Sequence, residues 1–251
     1  MGFLESASEI TPDKEKELVV YGLNDQFEAG LAAFEKLVGC GWKNVAVLAG
    51  GIDAWKRAGL SVSGDRQRVP LPTGKFQADA DKSVVRWVGR NLVNQLDGTA
   101  GLSEATIELH DGRLAGGKAV VDMNSIICQD IEDSKLAKVL IDHLITDDFF
   151  LVDRFPTATF VLDSAQTIEN ATPGSPNYQI EGTMTLRGLS AKIQFPALLG
   201  FSETSIALQA QFDFNRVSWD SKYGSGHVYE ALGQHLVNDF ISISFQLIAP
   251  L

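Results

Sequence analysis

Residues 178–195, YQIEGTMTLRGLSAKIQF, decide the fold, because apolar and polar residues alternate on both sides of a short turn. Tyr178, Ile180, Met184 and Leu186 share one face; Gln179, Glu181, Thr183 and Thr185 share the other. Beyond Arg187-Gly188 the alternation resumes, with Leu189, Ala191, Ile193 and Phe195 set against Ser190, Lys192 and Gln194. A period of two marks a half-buried strand, since successive side chains on an extended chain point to opposite faces. The glycine at the turn supports a hairpin.

Working outward, the pattern returns in Ile206, Leu208, Ala210, Phe212 and Phe214, and again in Ile241, Ile243, Phe245 and Leu247. Toward the N-terminus, FQADADKSVVRWVGRNL from Phe76 predicts one strand with Val85, Trp87 and Gly89 on a face. Gly98 to Leu109 predicts a second, Asp111-Gly112 a tight turn, and Arg113 to Ile127 a third. Ala158, Phe160 and Leu162 begin another. Between Ser134 and Thr146 the period changes, placing Leu136, Val139, Leu140, His143 and Leu144 on one helical face. From about Phe76 onward the chain therefore predicts a mainly β unit, with about eight antiparallel strands closing into a barrel and one covering helix. Closure removes the exposed edges that an open sheet of this length would present. Such a barrel is just wide enough for packed side chains or one slender ligand, and the pattern leaves both open. In either case Phe160, Leu162, Ile180, Met184, Leu186, Ile193, Phe195, Leu208, Phe212, Phe214, Ile243 and Phe245 point inward, as the candidate apolar lining.

The chain has 251 residues, of which 45% are hydrophobic and 21% charged, an ordinary balance for a globular protein with a sizeable core. Its formal net charge of -11 argues against nucleic acid as a partner, because phosphate binding needs clustered Lys and Arg. No apolar run approaches the roughly 20 residues that span a bilayer. The opening MGFLESASEITPDKEKE is acidic where a signal peptide is basic and then apolar, so the expected location is the cytoplasm, or the periplasm if a leader has been removed. Cys40 and Cys128, the two cysteines, fall in different predicted units and suggest neither a redox pair nor a disulfide.

Residues 1–62 follow a different grammar. The first 17 are polar and predict a loose arm. Leu18–Tyr21 predicts a short strand, Gln26 to Val38 a helix carrying Phe27, Leu31, Phe34, Leu37 and Val38, Val45 to Leu48 a second strand, and the segment after Gly50-Gly51 a short helix holding Trp55. Strand, helix, strand, helix implies a parallel pair with a right-handed crossover, a small α/β fragment. Ser63 to Lys75, with Pro70 and Pro72, predicts the linker to a barrel unit at 76–251.

The order VVY, AGLAAFEKL, GCGWKNVAVLAGGIDAWKRAGLSV resembles the second half of a rhodanese-like domain. That resemblance implies a catalytic cysteine directly after the first strand, where this chain has Gly22, and the following residues 23–27 supply neither cysteine nor arginine. The thiolate that sulfur transfer requires is missing, and the segment is expected to be inactive. Cys40, at the far end of the helix, is expected to be a packed structural thiol. A two-stranded parallel sheet leaves a face to cover, by the barrel, by a second copy in a homodimer, or by another protein.

In the larger unit, DADKSVVRW, the DMNSI strand, HLITDDFFLVDRFPTATF and IEGTMTLRGLSAKIQFP together resemble the YceI-like family of polyisoprenoid-binding proteins. The resemblance implies a lipocalin-like barrel whose cavity holds an isoprenoid chain or other lipid, with no further cofactor. Arg86, Arg90, Arg154 and Arg187 flank strand ends, where they could meet a charged headgroup. Catalytic and metal constellations are not evident. His110, His143, His227 and His235 lack metal-ligand spacing and are expected at the surface or at caps. Asp130, Glu132, Asp133, Asp147 and Asp148 flank the predicted helix as solvated carboxylates, and Ser218-Trp219-Asp220-Ser221 lacks a nucleophile elbow. Two functions remain: carriage of a long apolar ligand (polyisoprenoid, isoprenoid quinone or fatty-acyl type) in a hollow barrel, or a non-enzymatic adaptor with a filled barrel that docks through its rhodanese-like segment.

Overall fold

The computed structural model describes residues 3–24, 29–62, 71–169, 171–172, 174–202, 204–230, 233 and 236–251. Gln26 and Phe27 of the expected helix, residues 63–70 of the expected linker, and His235 lie outside the described residues. The chain divides into two compact units, the first Met1–Val69 with Gly200–Ser202 and the second Pro70–Leu199 with Glu203–Leu251.

In the first unit, β1 (Leu18–Val20) runs parallel to β2 (Val45–Val47), with Leu18 opposite Val45 and Val20 opposite Val47. Helix α2 (Ala29–Gly39) connects them and buries Leu37, and α3 (Gly51–Arg57) follows β2. The expected loose arm is instead opened by a helix, α1 (Phe3–Ile10), closed by Thr11 N–H donating to the Ala7 carbonyl at 2.9 Å. Phe3, Leu4 and Ala7 stand at helical spacing, a signal outweighed in the sequence reading by the surrounding charge. Cys40 is exposed rather than packed, because the chain leaves α2 at that point and turns through Gly41 at φ 94°.

The second unit is a closed antiparallel barrel. Its strands are β4 (Val84–Arg90), β5 (Gln95–His110), β6 (Arg113–Cys128), β7 (Thr157–Thr167), β8 (Tyr178–Leu186), β9 (Leu189–Phe201), β10 (Ser205–Asn215) and β11 (Phe240–Pro250). They run in the order β4-β11-β10-β9-β8-β7-β6-β5, and β5 closes the ring on β4. A short β3 (Gly74–Gln77) pairs with the far half of β5. The single strand expected from Phe76 is thus two pieces of one stave. Asp79 breaks it: its carboxylate accepts from Asp81 N–H at 3.0 Å and pairs with Lys82 at 2.9 Å, folding four residues into a turn. The stave nonetheless stays in place, since Ala78 N–H reaches the Ala105 carbonyl and Asp79 N–H the Ile248 carbonyl.

Two hairpins carry the positive φ their two-residue turns need. Asp111-Gly112 has φ of 48° and 70°, and Arg187-Gly188 has 50° and 72°. Helix α4 (Ser134–Leu144), capped by Asp133 accepting from Lys135 N–H at 2.8 Å, covers the barrel end where β6 stops and β7 starts. The opposite end is solid, filled by Ile107, Leu109, Leu114, Tyr178, Leu199, Ile206 and Ala249. There the Leu114 N–H donates to Tyr178 Oη at 3.3 Å, tying β6 to β8.

Gly182 faces inward on β8, and a Cβ built there would stand 2.1 Å from the Phe160 Cζ and 2.6 Å from the Val161 carbonyl oxygen, far inside contact distance. Gly182→Ala is therefore expected to destabilise the fold by about 1–3 kcal/mol in urea unfolding, although alanine is ordinarily no worse in a strand than glycine. Phe160→Ala in the same chain should recover part of that loss; simple additivity of the two changes would contradict this packing.

Candidate ligand cavity

Alternation along each barrel strand sends every second side chain inward, and here those side chains do not fill the bore. A cavity of about 430 Å³ remains. On one side the wall is aromatic. Phe195 stacks on Phe212 with centroids 4.2 Å apart and planes 9° from parallel, while Phe160 at 5.4 Å and Phe245 at 6.0 Å pack around the pair. Elsewhere the wall is small, with Ala100 from β5, Gly117 and Ala119 from β6 and Ala158 from β7. The space left where those strands carry no bulk is the cavity.

All twelve inward-facing residues named from the sequence lie on this wall: Phe160, Leu162, Ile180, Met184, Leu186, Ile193, Phe195, Leu208, Phe212, Phe214, Ile243 and Phe245. The sequence reading did not name Leu102, Val121, Met123 and Ile126, whose alternation is blurred by register shifts between β5 and β6. Leu140 and Leu144 of α4 complete the wall with Phe149 and Phe150, which follow the helix. Trp219 packs with Leu186, Phe214 and Val152 at the α4 end, and its Nε1–H donates to the Met184 carbonyl at 3.0 Å. The Ser218–Ser221 segment is accordingly structural.

While Thr106 and Lys118 line the wall farther along β5 and β6, Arg90, Asn91, His143, Arg216, Tyr223 and Asn238 of the lining stand at the α4 end. Arg216, 1% exposed, is held there by backbone carbonyls: Nε donates to Asn238 at 3.0 Å, Nη1 to Ser221 at 2.7 Å and Nη2 to Val237 at 3.2 Å. Its Nη2 stands 3.6 Å from Asp239 Oδ1, beyond hydrogen-bond reach, so that attraction is coulombic. The other Asp239 oxygen meets His227 Nδ1 at 2.6 Å. Burial pushes the guanidinium below its ordinary range and the Asp239 charge pulls it back; an arginine stays charged regardless. Its Cζ lies 5.7 Å from the centroid of the Phe149 ring. Asn238 N–H donates to the Arg90 carbonyl at 2.8 Å, which brings Arg90 to the same end. Arg90 Nη1 in turn donates to Ser242 Oγ at 2.8 Å.

Of the four arginines proposed from the sequence, only Arg90 lines the cavity. Arg187 is occupied by the carbonyls of Asp147 and Phe149, and Arg154 lies against the Phe155 ring at 5.3 Å. Sequence reasoning missed Lys118, ion-paired with Glu104 at 2.7 Å, and the buried cation Arg216. It directly follows the alternating run of β10, where a charged residue reads as the start of a loop. His143 also departs from expectation: it lines the cavity, edge-on to Phe149 and Tyr223 at 5.0 and 4.8 Å, with Nε2 2.9 Å from Asp148 Oδ2. His110 and His227 are exposed. Among the described residues no cluster of three His, Cys, Asp or Glu could hold a metal ion, and no helix is long and apolar enough to cross a membrane.

The YceI-like domain model matches residues 76–249. The chain belongs to the YceI-like family. A shorter match, to the rhodanese-like domain, covers residues 2–58. Among solved structures, BcnA of Burkholderia cenocepacia aligns with a TM-score of 0.54 at 22% identity, covering 68% of this chain and 99% of that one. A polyisoprenoid binding domain from Saccharophagus degradans, implicated in plant cell wall breakdown, aligns with a TM-score of 0.52 at 15% identity, covering 70% and 97%. Likeness at such identities speaks to the fold. No curated protein matches this chain.

The Arg216 knot makes the YceI-like unit sensitive at one point. Arg216→Met strands the three carbonyls it binds and leaves the buried Asp239 carboxylate without its cation, and is expected to lower stability by about 3–5 kcal/mol in denaturant unfolding. Arg216→Lys, which keeps the charge but loses the fork, should fall between the two. Equal stability of all three proteins would mean that the knot contributes nothing.

Proposed function

We propose that the YceI-like barrel binds and carries a long apolar ligand of the polyisoprenoid, isoprenoid-quinone or fatty-acyl type. The observation that carries this reading is the cavity itself: about 430 Å³ walled by Phe, Leu, Ile, Val, Met and Ala, in a barrel size that side chains alone can fill. Family membership and the printed name of the Saccharophagus domain support it. A filled-barrel adaptor would pack this volume to interior density, so the same observation weighs against that reading. The ligand's polar end belongs at the α4 end, beside Arg90, Arg216 and Asn238, and its chain among the phenylalanines.

Binding should be driven by hydrocarbon burial. Each buried methylene contributes about 0.8 kcal/mol, so affinity of the full chain for straight-chain or prenyl alcohols should rise about fourfold per added carbon over the first members of a series. Titration calorimetry reads this directly; flat, millimolar binding at every length would overturn the carrier reading.

We propose further that the rhodanese-like segment transfers no sulfur. Gly22 follows β1 where the nucleophile of such a domain would stand, and its carbonyl accepts from Ile52 N–H at 3.1 Å. Cys40 lies at the other end of α2, about 16 Å away along an eleven-residue helix. Thiosulfate sulfurtransferase assays should show no turnover above buffer; turnover that disappears on Cys40→Ala would falsify this.

A further inference from the structure

The cavity ends at a definite depth. On four neighbouring strands the wall stops at the same level, and the next inward side chain is sealed off from any space. Past Ile180 comes Tyr178; past Phe195, Ala197; past Leu208, Ile206; past Leu247, Ala249, and none of these deeper residues lines the cavity, whose wall on β5 and β6 ends at Thr106, Gly116 and Gly117. Leu208 and Leu247 face each other in register, as do Ile206 and Ala249 one step deeper. The floor is therefore a continuous layer across β8, β9, β10 and β11, backed by the Leu114–Tyr178 bond that ties β6 to β8. At the other end stand α4, the Phe149–Tyr223 ring pair and the Arg216 knot.

A space with a floor of this kind has a countable capacity. A cavity of roughly 150 Å³ lined by Leu, Ile and Phe holds one benzene, which is about 25 Å³ per carbon. On that scale about 430 Å³ accommodates about 17 carbons. We infer that the barrel holds one hydrocarbon chain of about 15–20 carbons, with Leu208 and Leu247 as the stop that sets its length. The ligand class is thus a single-chain lipid of fatty-acid or short-prenyl size, and longer polyisoprenoids gain nothing from their additional units. The inference rests on the carrier reading and deepens it.

The test titrates the full chain with two series, saturated fatty acids of about ten to twenty-four carbons and prenyl alcohols of about fifteen to fifty-five. Affinity should climb by about fourfold per carbon and level off near sixteen to eighteen carbons, with the longest prenol no tighter than the twenty-carbon one. Leu208→Trp raises the floor and should move the plateau shorter by roughly two carbons, and Leu247→Phe should move it the same way by less. Melting curves identify a variant that fails to fold, leaving the other to decide. Which series binds tighter separates an acyl from a prenyl ligand. Affinity that keeps rising to the longest member, or a plateau unmoved by either folded variant, overturns the length stop while leaving the carrier reading intact. Binding without length dependence removes both.

Discussion

β5 is paired along both edges. On one side β3 and β4 take successive parts of it, Phe76 opposite Ile107 and Trp87 opposite Gly98; on the other β6 runs beside it from Cys128 to Arg113. Without that double pairing β4 and β6 would each present a row of unpaired N–H and C=O groups to water or to another chain. With it the sheet has no edge there, and eight strands fix the diameter of the bore. The same closure forces the broken stave to tolerate the Asp79–Lys82 turn, since both of its halves must reach β5.

A bore of this diameter is neither hollow nor solid by geometry alone. Near Tyr178 and Ile206 the inward positions carry side chains large enough to meet across the axis, and the barrel is packed. Toward α4 the bulk moves to one side. Phe195 stacks on Phe212 and both meet Phe245 edge-on instead of reaching across, while Gly117, Ala119 and Ala158 leave the facing wall bare. Phe160 extends this arrangement by lying over Gly182, where no side chain competes with it. The cavity is a consequence of where large and small residues were placed, and its floor is where that imbalance ends.

The polar end follows from the long excursion between β10 and β11. A loop that crosses a barrel mouth must find partners for its carbonyls, and Arg216 supplies three from a single side chain. Its charge is balanced by Asp239, which His227 also engages. One buried cation thereby anchors the loop while keeping positive charge beside a mainly apolar space.

Much of this was legible from alternation. The hairpin at Arg187-Gly188, the strands on either side of it and the inward direction of residues such as Ile180 and Phe212 follow from a period of two, which is a local property of the backbone. Gly22 standing where a catalytic cysteine would be is likewise plain from the residues. Other features required the folded chain. The Asp79 turn was hidden because a short-range carboxylate contact interrupts a pattern without removing its apolar residues. Arg216 and His143 became cavity residues only when a 3₁₀ turn and α4 were brought over the barrel mouth from distant parts of the sequence. Whether the bore is open or filled depends on pairs such as Phe195 with Phe212 and Ala119 with Phe160, which belong to different strands. Their identities are in the sequence, but which side chain occupies the space beside another is set by register and closure, and those are properties of the tertiary structure.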